Sequence, residues 1–115
     1  MAKTTLAVVA APGSYAALGA AISFVAGDVS NGNQFVPSGK DLVIVRNEHS
    51  YTAYNITFQS SNDPFGRKGN IVESVVAGTT KIFGPFSLLG WRQNDGYFYL
   101  DAEDNDLKIA VVSFP

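Results

Sequence analysis

The sequence predicts an all-β fold: an antiparallel β-sandwich, jelly-roll-like, of about eight short strands. Three observations carry this. Clusters of Gly, Pro, Asn, Asp and Ser punctuate the 115-residue chain at intervals of about eight to 12 residues, the spacing of all-β folds. Several stretches between them alternate apolar and polar side chains, the period of a strand with one face buried. No stretch has the length and period of a helix that could carry a parallel crossover, which excludes a parallel α/β sheet.

The elements follow in chain order. Met1–Thr5 reads as an extended N-terminal arm, and residues 6–115 as one sandwich domain. Leu6–Ala10 is rich in strand formers and is broken by Pro12-Gly13-Ser14. The apolar run Leu6–Ala11 falls short of the core of a secretory signal, so a first strand or an arm is the better reading. Tyr15–Ala21 has the alanines for one helical turn, with Gly19 against it. Ile22–Ala26 reads as a short strand. Val29–Lys40 carries loop chemistry, with Phe35 its one large anchor.

Asp41–Arg46 is nearly all apolar and reads as a central strand covered on both sides. Thr52–Gln59 alternates cleanly, with Tyr54, Ile56 and Phe58 on one face and Asn55, Thr57 and Gln59 on the other. Ser60–Asn70 is the longest polar loop. Ile71–Val76 follows as a strand, Ala77-Gly78 as a tight turn, and Thr79–Phe83 as the strand's partner. Gly84-Pro85-Phe86 interrupts pairing, and Asn94-Asp95-Gly96 is a strong hairpin signal. Tyr97–Asp101 alternates, placing Phe98 and Leu100 in the core and Tyr97 and Tyr99 outward. Ala102–Asp106 is an acidic turn, and Leu107–Phe114 closes the chain as a strand.

Composition narrows the function. Hydrophobic residues make up 46% of the chain and charged residues 16%, which leaves too much apolar content for disorder. A chain of this size buries about 65% of its unfolded surface, so its apolar surplus points to a contact surface. With no cysteine there is neither a disulfide scaffold nor a thiolate zinc site. A net charge of −2 argues against a surface that tracks phosphates. No apolar run has the length of a membrane-spanning helix.

The candidate chemical sites are thin. His49 is the lone histidine and lies in the polar turn Asn47–Ser50, where it reads as surface rather than as a catalytic base. Asp101, Glu103 and Asn105 copy the first ligand spacing of a helical calcium loop. Asp106 and Val112, however, stand where that loop needs Gly and Glu. Paired carboxylates for sugar hydrolysis and a phosphate-binding glycine loop are both missing from the pattern. Asn55-Ile56-Thr57 fits a glycosylation sequon but lies within a strand. Neither a cofactor nor a catalytic set is expected.

Contact residues are easier to name. Phe65 with Arg67 in the long loop pairs an aromatic anchor with a guanidinium, as interface hot spots do. Phe83, Phe86, Trp91, Tyr97 and Tyr99, with Phe98 among them, concentrate aromatics in one stretch. They read first as core or subunit contact, and second as a platform for stacking sugar rings.

Finally, the succession Asn31-Gly-Asn-Gln-Phe35, Gly39-Lys-Asp-Leu-Val-Ile-Val-Arg-Asn47, Asp63-Pro-Phe-Gly-Arg67, Val76-Ala-Gly-Thr-Thr80, Phe83-Gly-Pro-Phe86, Trp91-Arg-Gln-Asn-Asp-Gly96 and Leu107-Lys-Ile-Ala-Val-Val112 resembles small virion proteins of tailed bacteriophages. These are the capsid decoration, or cement, proteins. The resemblance spans roughly residues 28–115 and is a rhythm of turns and strands. It implies a non-enzymatic homotrimer made in the host cytoplasm that clamps the major capsid protein from the virion exterior. It implies no nucleic-acid or membrane partner. An N-terminal arm including Lys3, Thr4 and Thr5 would reach over the shell. Other readings are a head–tail or tail component and a carbohydrate-binding sandwich.

Overall fold

The computed structural model describes residues 3–11, 22–60, 69–86, 88 and 90–113, and among these the chain is all-β. Ten strands are formed: β1 (Thr4–Thr5), β2 (Val8–Ala10), β3 (Val25–Ala26), β4 (Asn33–Phe35), β5 (Asp41–Asn47), β6 (Tyr54–Gln59), β7 (Ile71–Val75), β8 (Thr80–Phe86), β9 (Phe98–Ala102) and β10 (Leu107–Ser113). They make two sheets. The first has the order β1-β4-β9-β6-β7, and the second β2-β10-β5-β8, with β3 also paired to β10.

The core lies between the sheets and follows from the alternation. In β6 Ile56 and Phe58 point inward, in β9 Phe98 and Leu100, in β5 Val43 and Val45, and in β10 Leu107, Ile109 and Val111. Phe35 stacks on Phe98 at 4.9 Å between ring centroids. Phe86 closes on Phe58 at 5.2 Å and on Phe98 at 4.8 Å. Burying a large apolar side chain contributes about 1.5–3 kcal/mol, so these rings dominate the stability of a small sandwich.

Among the described residues Asn33, Asp41, Asn47 and Ser60 are polar and buried, and two of them shape the ends of β5. Asp41 accepts from Ser38, through the backbone N at 2.7 Å and the hydroxyl at 3.0 Å, and so shapes the entry to β5. Asn47 ends β5: its Nδ2 donates to the carbonyls of Thr52 at 2.9 Å and Val75 at 2.8 Å, and its Oδ1 accepts from His49 N at 2.9 Å. One amide thereby ties the β5–β6 turn to the end of β7.

The sheets are mixed rather than purely antiparallel. β3 to β10 pair only antiparallel, but β1 runs parallel to β4 and β2 parallel to β10. A single N-terminal segment straddles the sandwich, pairing with one sheet and then with the other, and buries Leu6 between them. Strand count rises to ten because this segment splits in two and because β4 forms. Asn33–Phe35 lies within the stretch expected as loop. It is a strand because Phe35 and Asn33 are both drawn inward and the three residues pair with Phe98–Leu100.

Four local expectations are corrected. The turn at Ala77-Gly78 forms, with Gly78 at φ 76°, but β7 and β8 are not partners. β7 pairs with β6 and β8 with β5, so the turn is a corner between sheets. Asn94-Asp95-Gly96 likewise makes a turn, with Gln93 N donating to Tyr97 O at 2.7 Å, but the strands on either side, β8 and β9, belong to different sheets. Gly84-Pro85-Phe86 does not end pairing: the register slips across Gly84 and Pro85, and Phe86 pairs with Asp41. β5 is central, but only its inner face is fully buried. Leu42, Ile44 and Arg46 on the outer face are half-buried. Tyr15–Ala21 lies outside the described residues.

Candidate interaction surface

The two outer faces of the sandwich differ in chemistry. On the first sheet, cross-strand pairing lines up Thr5, Gln34, Tyr99 and Gln59, with Asp101, Thr57 and Val72 beside them. The row is polar and internally bonded: Gln34 Nε2 donates to Thr5 Oγ1 at 3.1 Å, and Gln59 Nε2 donates to Asp101. On the second sheet one row is Val9, Val112 and Leu42, and the next is Ala110, Ile44 and Ile82. Along this second row exposure rises towards the edge, from buried Ala110 through half-buried Ile44 to Ile82 at 64%.

The two sides of the sandwich also differ. On one side the N-terminal segment closes the edges. Thr4 N donates to Gly32 O at 3.0 Å and Leu6 N to Gln34 O at 2.7 Å, and Thr4 Oγ1 donates to Asp28 Oδ2 at 2.6 Å. That hydroxyl, with the Asn31 backbone, holds the Asp28 carboxyl below its ordinary value. Lys3, Thr4 and Thr5, expected as a separate arm, therefore lie along β4 of their own chain.

The opposite side is open, with β7 and β8 as edge strands. Glu73 is registered with Ile56 and Lys81 with Val45, so both point into the gap between the sheets. They pair there at 3.4 Å, and Lys81 Nζ also donates to Ser74 O at 3.0 Å. Inward-pointing charges of this kind discourage unwanted strand addition at an edge. Around this pair stand Val72 and Val76, each 57% exposed, together with Ile82.

The aromatic candidates mostly turn inward. Phe86 is 7% exposed, and Trp91 packs edge-on to it at 5.1 Å and stacks on Phe98 at 5.8 Å. Phe83 is half-buried against Phe58 at 4.9 Å. Tyr97 and Tyr99 are half-buried on the outer side, and Phe98 and Leu100 are buried, as the alternation required. Tyr99 is already engaged: its hydroxyl donates to Asp95, and Lys3 Nζ lies 4.7 Å over its ring. The hydrogen bond lowers the Asp95 carboxyl and raises the Tyr99 phenol. A tied hydroxyl and a covered ring face leave Tyr99 little to offer a sugar. Phe65 and Arg67 lie outside the described residues.

His49 builds its turn. Its Nδ1 accepts from Tyr51 N at 3.2 Å and Thr52 N at 3.1 Å, and its ring meets Tyr51 and Tyr54 edge-on. In the acidic turn Glu103 Oε1 accepts from Asn55 N and Asp104 Oδ1 from Asp106 N, both backbone ties. No group of three metal-ligating side chains occurs among the described residues. Asn55 is an exposed strand residue.

The exposed apolar residues of this edge that sequence reasoning missed are aliphatic. Ile71-Val72 and Val75-Val76 are neighbouring apolar pairs, so one member of each must leave the core side. That break in alternation was the available signal. No protein-family model, curated protein or solved structure matches the chain.

Proposed function

We propose that the chain is a structural protein of a phage particle: a decoration protein that binds the outer surface of the major-capsid shell as a trimer and stabilises it without chemistry of its own. The observation that carries this reading is the placement of apolar surface. Phe35, Phe58, Phe86 and Phe98 fill the core, while Ile82, Val72 and Val76 are left to solvent along one edge, as expected of a body completed by protein contacts. The strand order adds support. β3-β10-β5-β8 faces β4-β9-β6-β7, and the chain changes sheet at every step from β3 to β10 except β6 to β7. We assign this winding to a jelly roll, an architecture of capsid and lectin domains.

Cement function asks for many modest contacts repeated over a lattice, since each weak contact gains from the others. A polar first sheet and a more apolar second sheet give the body a solvent side and a contact side. The test is to add purified protein to shells that lack it. Their disruption temperature rises if the reading is right, and an unchanged temperature with no bound protein refutes it.

A further inference from the structure

Asn31-Gly32 is the only Asn-Gly pair in the sequence. Such a pair readily loses the asparagine amide, because glycine has no side chain to shield the backbone nitrogen that attacks it. That nitrogen must be free to react, and the fold ties it down. Gly32 N donates to Asp28 O at 2.8 Å. Asn31 donates to the Asp28 carboxyl through its backbone N at 3.1 Å and its Nδ2 at 3.4 Å. The N-terminal segment adds outer straps. Thr4 N donates to Gly32 O at 3.0 Å, Thr4 Oγ1 to Asp28 Oδ2 at 2.6 Å, and Lys3 Nζ to the Asn31 carbonyl at 3.4 Å. Gly32 is buried beneath Lys3 and Asp101. A carbon on its Cα would stand 2.9 Å from Lys3 Nζ and 2.5 Å from Asp101 Oδ1.

We propose that Asn31 is a deamidation site gated by the N-terminal segment. The segment holds only short pairings, two residues with β4 and three with β10, so it opens more readily than the core. Opening removes the Lys3 and Thr4 bonds and leaves Asp28–Gly32 a solvated turn held by its own contacts. Gly32 N, giving up its proton, then forms a bond to Asn31 Cγ while the Cγ–Nδ2 bond breaks and ammonia leaves with that proton. Water opens the resulting cyclic imide at either carbonyl, yielding aspartate or an isoaspartyl linkage at position 31. Either product puts a new carboxylate at this turn beside Asp28, where the amide had donated, so attraction becomes like-charge repulsion. The isoaspartyl linkage also lengthens the backbone by a carbon next to buried Gly32, where there is no room. The segment therefore does not re-seat, and its release is one-way.

The test follows Asn31 by peptide mapping and mass spectrometry while the full chain is held at mildly alkaline pH. Folded wild type is expected to deamidate at least about tenfold more slowly than the same chain in urea, since reaction through an opened state scales with its population. Thr4→Val and Leu6→Ala, measured folded, accelerate it several-fold. Val75→Ala, which loosens the core at the far edge of the first sheet, does not. Equal rates in folded and unfolded wild type overturn the guard. Acceleration by V75A as large as by T4V overturns gating by the segment in favour of global opening, and no acceleration by T4V or L6A overturns it outright. If L6A does not fold, T4V decides alone. Asn31→Asp tests the consequence. It is expected to lose amide protection at Val8–Ala10 in hydrogen exchange while β5 and β6 keep theirs. Protection that is unchanged there, or lost uniformly, overturns the one-way release.

Discussion

Asn47 shows how one residue fixes several elements. Its amide donates to two carbonyls from inside the fold. Asn47→Asp sets a carboxylate against both, and stability falls by at least about 2 kcal/mol, since buried groups left unpaired cost about 1–3 kcal/mol each. Urea melts should show the loss, and it should shrink as the pH is lowered and the carboxyl takes a proton. Thr4 and Asp28 make a second residue-scale case. The Thr4 hydroxyl depresses the folded-state pKa of Asp28. Its contribution is therefore full above the unfolded value of about 3.9 and disappears as pH falls through the lower folded value. Thr4→Val removes the main cause, so its melting temperature declines less steeply with acid than the wild type's over that window. Equal slopes would show the contact to be idle. Neither role was legible from sequence. An Asn after a strand and a Thr near a terminus acquire partners only when distant segments are brought together.

At the scale of elements, the N-terminal segment acts as a clasp. Its two short parallel pairings supply few hydrogen bonds, so Leu6, 4% exposed between the sheets, is its anchor. Leu6→Ala should destabilise the fold by about 2–5 kcal/mol, with early loss of amide protection at Val8–Ala10 in hydrogen exchange. Uniform loss over all strands would mean that the clasp does not open separately. The strongly alternating strands were readable, because in β6 and β9 a period of two is forced by one buried face. β4 was not, since its three residues sit among turn formers and are strand only by pairing with β9. The partners of β7 and β8 were also hidden. A tight turn says that the chain reverses, not that the strands on either side share a sheet.

For the molecule as a whole, the contrast between edges is the central feature. One side is sealed by the clasp, while the other is held by Glu73 and Lys81 and rimmed by Val72, Val76 and Ile82. The sequence led to a contact protein through its apolar surplus but located that surplus in its aromatics. Phe86, Trp91 and Phe98 instead pack on one another, because large rings stabilise most when buried from both sheets. Along this edge the smaller β-branched residues Val72, Val76 and Ile82, whose exposure costs less, remain outside. The most direct measurement is sedimentation of the purified protein with phage capsid shells assembled without a decoration protein. The account predicts saturable binding, with the protein pelleting at a fixed ratio to shell subunits and less of it pelleting for V72K and I82K. Protein that stays in the supernatant at every concentration contradicts it.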